Sequence, residues 1–147
     1  MSTSIERRLE EIQRILGDLG DELARGTPLI VEGQRDAATL RRLDITGDII
    51  LAKASGKTLL DVIGEVEKRG KSKVVLLLDF DKRGRESTRR LAKDFEALRI
   101  SPNLTYWRGL SSLVGGDVKD IEGLSTYIQT LKTRIGKNAF VPKPDSN

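Results

Sequence analysis

The stretch Val74-Val75-Leu76-Leu77-Leu78-Asp79-Phe80-Asp81 constrains the chain more than any other. Five consecutive β-branched or aliphatic residues stand between Lys71-Ser72-Lys73 and a charged turn, and they predict a strand buried on both faces. Strands of that kind belong to parallel sheets, which place their ligands at the carboxyl edge. Asp79 and Asp81 fall at that edge. Residues two apart on an extended backbone point the same way, with Cα atoms roughly 6–7 Å apart. Both carboxylates can therefore face one small, hard cation.

The rest of the pattern supplies the layers such a sheet needs. Ile5, Leu9, Ile12, Ile15, Leu16, Leu19 and Leu23 recur at spacings of three and four, which predicts an amphipathic helix over residues 5–24, with Gly26 to close it. Pro28 to Gly33 reads as a first strand and Asp36 to Leu43 as a helix. Asp48 to Ala54 is a second strand. A helix follows Ser55-Gly56-Lys57, with Leu59, Leu60, Ile63 and Val66 as its apolar positions and Gly70 at its end. After the third strand, a helix from Gly84 to Leu98 is expected to bury Leu91, Phe95 and Leu98. Asn103 to Trp107 reads as a fourth strand, and a last helix runs from Asp117 to Ile135. Strands alternating with helices give an α/β fold, a four-stranded parallel sheet with right-handed crossovers between helices. The expected organisation is an N-terminal helix over residues 1–26, one domain over 27–136 and a mobile polar tail over 137–147.

Composition narrows the chemistry. The 147 residues include no cysteine and no histidine. Disulfides, zinc–thiolate and zinc–histidine sites, cysteine nucleophiles and Ser-His-Asp catalysis are excluded. Catalysis would have to run on carboxylates, lysine, hydroxyls and a metal held by oxygen, which selects Mg²⁺, Mn²⁺ or Ca²⁺. No stretch approaches the roughly 20 apolar residues of a membrane span, and the opening Met-Ser-Thr-Ser-Ile-Glu-Arg-Arg is no signal peptide, so a cytoplasmic protein is expected. The net charge of +4 permits a nucleic-acid partner without requiring one, and 33% charged residues with one methionine lean toward a thermophile source.

Glu32 occupies on the first strand the place that Asp79 holds on the third. In the common doubly wound order those strands are neighbours flanking the switch point, so three acids from two strands would line one crevice. Each acid also has a simpler role open to it. Asp81 suits a helix N-cap, Asp79 a turn, and Glu32 the start of the following helix. Asp36 falls in that helix's first turn, as cap, as a supporting acid behind the metal ligands, or as both. A basic set surrounds the acids: Lys82, Arg83, Arg85, Arg89, Arg90 and Lys93, with Lys53 and Lys57 on the neighbouring segment. It is either a solvated helix face or a phosphate-binding surface. Gly56-Lys57-Thr58 imitates the end of a phosphate-binding loop, but the glycine required five positions earlier is Leu51. Tyr106, Trp107 and Tyr127 are too few and too scattered for a base-stacking platform.

With these residues in place the chain resembles a Toprim domain. The likeness rests on Ile30-Val31-Glu32-Gly33, on Leu77-Leu78-Asp79-Phe80-Asp81, and on Lys82-Arg83-Gly84-Arg85 and Val118-Lys119-Asp120-Ile121-Glu122. The last two are similar to the form in small stand-alone archaeal Toprim proteins and in ribosomal RNA maturases. The resemblance spans Pro28 to Ile135. It implies a Rossmann-like Toprim fold, Mg²⁺ (or Mn²⁺) held by Asp79 and Asp81, and Glu32 as metal ligand or general acid/base. Lys82 and Arg85 become candidate phosphate contacts, and RNA or DNA the partner. Among Toprim functions a nuclease needs only the metal site and water. The expected function is therefore Mg²⁺-dependent phosphodiester cleavage, with a non-catalytic nucleic-acid-binding or scaffold subunit as the alternative. A homodimer or a protein partner held by the N-terminal helix is a further expectation.

Overall fold

The computed structural model describes residues 3–139. The apolar run forms the strand its composition demands: β3 spans Lys73–Leu77, and Val74 to Leu77 are fully buried. With β1 (Leu29–Val31), β2 (Ile49–Leu51) and β4 (Ser101–Asn103) it makes a parallel sheet in the order β2-β1-β3-β4. Side chains alternate between two cores, as the period of a strand requires. Leu29, Val31, Val75 and Leu77 face one layer; Ile30, Val74, Leu76 and Leu78 face the other. Full burial of one such aliphatic chain contributes about 1.5–3 kcal/mol, so the sheet is held from both sides.

The first layer consists of α1 (Ser4–Ala24), α2 (Gln34–Arg42), α5 (Thr105–Val114) and α6 (Ile121–Ala139). The second consists of α3 (Leu59–Lys68) and α4 (Lys82–Ala97). Thr3 caps α1 by accepting from the Glu6 N–H, and Gly26 ends it with φ +92°. The apolar stripe of α1 is buried, with Ile12 and Leu19 fully so, and the helix lies against α5 and α6. Because β2 and β3 lie on opposite sides of β1, the chain reverses its direction of travel between β1 and β3. The exits of those two strands hold Glu32 and Asp79.

Several expected boundaries shift. The fourth strand is Ser101–Asn103 rather than Asn103–Trp107, and Thr105 onward is helix. Thr-Tyr-Trp favours strands locally, but the Asn103 side chain accepts from the Thr105 N–H, and Tyr106, Leu110 and Val114 repeat every four residues to bury one helical stripe. Pro102 is tolerated because β4 lies at the sheet edge. The last helix begins at Ile121, after a 3-10 turn over Gly115–Asp117, and continues through Lys137, where the tail was expected to start. The remainder of that tail, 140–147, lies outside the described residues. Leu98 is 44% exposed instead of buried, because the chain turns at Arg99 (φ +60°) and inserts Ile100 in its place. Leu60 points to solvent from the first turn of α3. Among the described residues no helix is long and apolar enough to cross a membrane.

One contact fixes where α4 begins. A Cβ on Gly84 would sit 1.9 Å from the Asp79 carbonyl oxygen and 2.5 Å from its carbon. The first turn of α4 therefore rests directly on the backbone of Asp79. Gly84→Ala is expected to lower stability by about 3 kcal/mol, since backbone rather than a movable side chain blocks the methyl. Gly64→Ala on α3, where a Cβ meets nothing, should be neutral or stabilising by up to about 1 kcal/mol. Urea denaturation of the two variants checks the contrast.

Candidate functional site

The site grows from the two strand exits. Beyond β1 and β2 the ladder continues for two more hydrogen bonds: Ala52 N–H donates to the Val31 carbonyl and Lys53 N–H to the Glu32 carbonyl, both at 2.8 Å. That zipping places Lys53 beside Glu32, and its Nζ lies 2.9 Å from Glu32 Oε1. The other carboxylate oxygen, Oε2, accepts from the Asp79 N–H at 3.3 Å. Glu32 is thus a buried acid, 8% exposed, tied on one side to an ammonium and on the other to the exit of β3. The salt bridge pushes the Lys53 ammonium up from its ordinary pKa.

Asp36 supports the turn between β1 and α2. Its Oδ2 accepts from the Gly33 N–H at 3.1 Å, so it serves as the expected cap. Burial pushes its carboxyl up, opposed by that N–H, with the Asp120 and Glu32 charges adding to the rise. Asp81 is the N-cap of α4: its Oδ1 accepts from Gly84 N–H at 2.8 Å. The strand ends at Leu77, so Asp79 and Asp81 do not stand in register on an extended backbone as expected. Asp79 sits in the bend between strand and helix, half-buried. Burial first, then the charges of Glu32, Asp36, Asp120 and Asp81, push its carboxyl up to about 7. Asp120 is the acid that sequence reasoning missed as a site residue. It caps α6 by accepting from Gly123 N–H at 2.7 Å, and the neighbouring Lys119 carbonyl accepts from Phe80 N–H at 2.6 Å, which ties the α6 entry to the Asp79–Asp81 loop.

The basic set divides around α4. Lys53, Arg83, Glu86 and Arg90 line a cleft of about 450 Å³ on the α3 side. Arg85 and Arg89 line a smaller pocket of about 260 Å³ on the α5 side, with Trp107 and Arg108. Lys82 is exposed at the first position of α4. Lys57 does not join them. Its ammonium pairs with Glu65 of α3 at 2.5 Å, an ion pair without hydrogen-bond alignment. Trp107 stabilises the loop itself: its indole N–H lies 3.1 Å from the Leu78 carbonyl and 3.3 Å from that of Asp79.

Residues 27–106 match the Toprim domain model. The chain belongs to the Toprim family. It is 33% identical over 130 residues to a UPF0292 protein of Methanosarcina barkeri, covering 88% of this chain and 89% of that one. It is also 33% identical over 120 residues to a UPF0292 protein of Methanocaldococcus jannaschii, covering 81% and 91%. A solved structure, a putative protein from Aquifex aeolicus, shares the fold with a TM-score of 0.63 at 23% identity over 75% of this chain and 94% of that one. Toprim membership carries a metal-binding, nucleic-acid-related class of function.

The donor chemistry suits the Toprim ion. Every candidate ligand is a carboxylate oxygen, which favours Mg²⁺ or Mn²⁺. Burial and, after it, the charges of four neighbouring acids both disfavour an ionised Asp79, and a cation placed there would relieve the second of these. Among the described residues, however, no three acids close into a ready-made cage. Glu32 already holds the Lys53 ammonium, and one Asp81 oxygen is spent on Gly84. A divalent ion at Glu32 would have to displace or face Lys53.

Lys53→Met is therefore expected to tighten Mn²⁺ binding about three- to tenfold, since a competing unit charge at contact distance is removed. Titration followed by the paramagnetic resonance of free Mn²⁺ reads it, and unchanged or weaker binding would count against competition. Asp79 supplies a pH signature. The unfolded chain releases this proton near pH 4 and the folded chain near 7, so stability falls as pH rises between them and levels off above. Solvent screening of the half-exposed carboxyl leaves about 1–2 kcal/mol of that fall. Asp79→Asn, melted beside the wild type in EDTA from pH 4 to pH 8, should lack it.

Proposed function

We propose that the chain is a Mg²⁺-dependent (or Mn²⁺-dependent) phosphodiesterase acting on RNA or DNA, with Glu32, Asp79 and Asp81 as its working acids. The observation that carries this is the junction of Glu32 with the Asp79 backbone, which brings acids from two strand exits together beside two basic clefts. Asp79 and Asp81 would hold the metal, with Glu32 at its border. A bound divalent ion supplies Lewis-acid stabilisation of the charge that develops on the phosphate.

The chain's own residues do the remainder. Arg83 and Arg85 project from the first turn of α4, where backbone N–H groups and the helix dipole add to their pull on a polyanion, and Arg89 extends the basic face one turn further. Lys53 meets a phosphate oxygen once it leaves Glu32. Glu32, released from the ammonium, is the carboxylate placed to take the proton from an attacking water, a role no histidine can fill in this chain. Asp36 keeps the Gly33 turn fixed under Glu32. The coupling of Lys53 to Glu32 links the two events: phosphate that draws the ammonium away also frees the base.

The test is cleavage of labelled single- and double-stranded RNA and DNA with Mg²⁺ or Mn²⁺, against EDTA. Glu32→Gln and Asp79→Asn should each lower the rate at least about 100-fold, the usual scale for a lost general base. A rate equal in wild type and both variants would reject the assignment. The Glu32–Lys53 pair also supports a second reading, since a neutralised acid suits docking better than turnover. In that case the protein is a nucleic-acid-binding or scaffold subunit, and the same assay returns salt-sensitive binding without cleavage.

A further inference from the structure

We propose that the pocket between α4 and α5 seats one unpaired nucleotide of a single strand, and so makes the protein selective for single-stranded over duplex nucleic acid. The proposal rests on the nucleic-acid reading above and adds to it a recognition site separate from the acids.

Three guanidiniums converge there. Arg85 and Arg89 lie four residues apart on one face of α4, and Arg108 faces them from α5. All three are exposed, and among the described residues none has a carboxylate within 4.0 Å. Elsewhere Arg14 pairs with Glu11 and Asp18, Arg25 with Glu22, and Arg69 with Asp48, while Arg83, Arg90 and Arg99 among the described residues also stand without a carboxylate. What sets the group apart is that all three line one pocket whose lining has no acid, whereas the cleft on the other side of α4 includes Glu86. Three mutually repelling cations gathered without an anion are suited to one that arrives from outside, and guanidinium forks match phosphate oxygens.

The walls say what else comes with the phosphate. Leu104 and the half-buried Trp107 ring provide an apolar and aromatic surface. The ring is held by its N–H on the Leu78 and Asp79 carbonyls, so it is fixed before any ligand binds. Aromatic surface beside clustered arginine is the chemistry that holds a base and its phosphate together. At about 260 Å³ the pocket is smaller than the roughly 300–1,000 Å³ of drug-sized sites. One base can enter, leaving its sugar and phosphate at the exposed arginines; a base pair cannot, and a paired base has no free face to offer. One ring serves one base, which agrees with the absence of a multi-residue stacking platform. The same ring touches the Asp79 carbonyl, so the seated nucleotide adjoins the acid site.

Trp107 is the chain's only tryptophan, so fluorescence excited at wavelengths too long for the two tyrosines reports on this pocket. The full chain is titrated in EDTA, which prevents turnover, with a single strand of about 12 nucleotides, the same sequence as a blunt duplex, and a mononucleotide; both RNA and DNA versions are used. The single strand should quench Trp107 and bind about tenfold more tightly than the duplex. Arg108→Ala, an exposed change, should weaken single-strand binding about tenfold while altering duplex binding less than about twofold; Arg134→Ala on α6 should alter neither. Equal quenching by duplex, or equal weakening of both ligands by Arg108→Ala, would overturn the proposal. Saturation by mononucleotide at the same concentration would make the pocket a site for free nucleotides and overturn it as well. If Arg108→Ala leaves single-strand binding unchanged while Glu32-dependent cleavage persists, the pocket assignment fails alone. If the wild type binds no nucleic acid, the broader functional reading fails with it.

Discussion

A carboxylate taken out of water needs partners, and those of Glu32 organise this molecule. One oxygen is met by the backbone of the neighbouring strand exit and the other by an ammonium from the strand on the opposite side. The bond to the Asp79 N–H crosses the point where the chain reverses direction, so the β1 and β3 exits are held together by a side chain rather than by the ladder. Removing that carboxylate would leave the part-buried Asp79 N–H without its acceptor, at a cost of about 1–3 kcal/mol, while the exposed Lys53 ammonium would return to water. In the function proposed above, stability and chemistry would draw on the same atoms.

The helix that follows shows how little freedom the loop has. Asp81 caps α4, Gly84 admits the backbone of Asp79, and Trp107 and the Lys119 carbonyl hold the same loop from α5 and the α6 entry. Two segments distant in the chain, together with the adjoining first turn of α4, thus converge on three residues. The loop is built as a rigid platform, and Lys53, 63% exposed along its side chain, is the part of the site free to move.

Much of this was legible in the sequence because the strongest signals were local. A run of five aliphatic residues, too short for a buried helix and bounded by charged turns, favours a doubly buried strand, and alternation of strand and helix favours a parallel sheet. Glu32 and Asp79 could be placed at neighbouring exits by topology alone. The failures have one physical source, the dependence of local preference on tertiary surroundings. Thr105 to Trp107 favour a strand in isolation, but burial of Tyr106, Leu110 and Val114 on one stripe makes them helix. Misplacing that segment hid Trp107 and Arg108 from the site. Asp120 went unassigned because nothing in the spacing says that the α6 entry folds back over the Asp79–Asp81 loop. Lys57 looked equivalent to Lys53 until its partner on α3 was known.

The packing of α1 has a consequence for how the chain is made. Its apolar stripe is covered by α5 and α6, and Arg8 donates to the Tyr127 hydroxyl at 2.8 Å across most of the chain length. Helix α1 is therefore synthesised well before the two helices that cover it. Until α6 is synthesised, Leu9, Ile12, Leu16 and Leu19 have only part of their eventual surroundings, and contacts so distant in sequence close slowly. The growing polypeptide carries an amphipathic segment whose cover comes more than eighty residues later, and termination before Ile121 would leave it only partly covered, by α5 without α6.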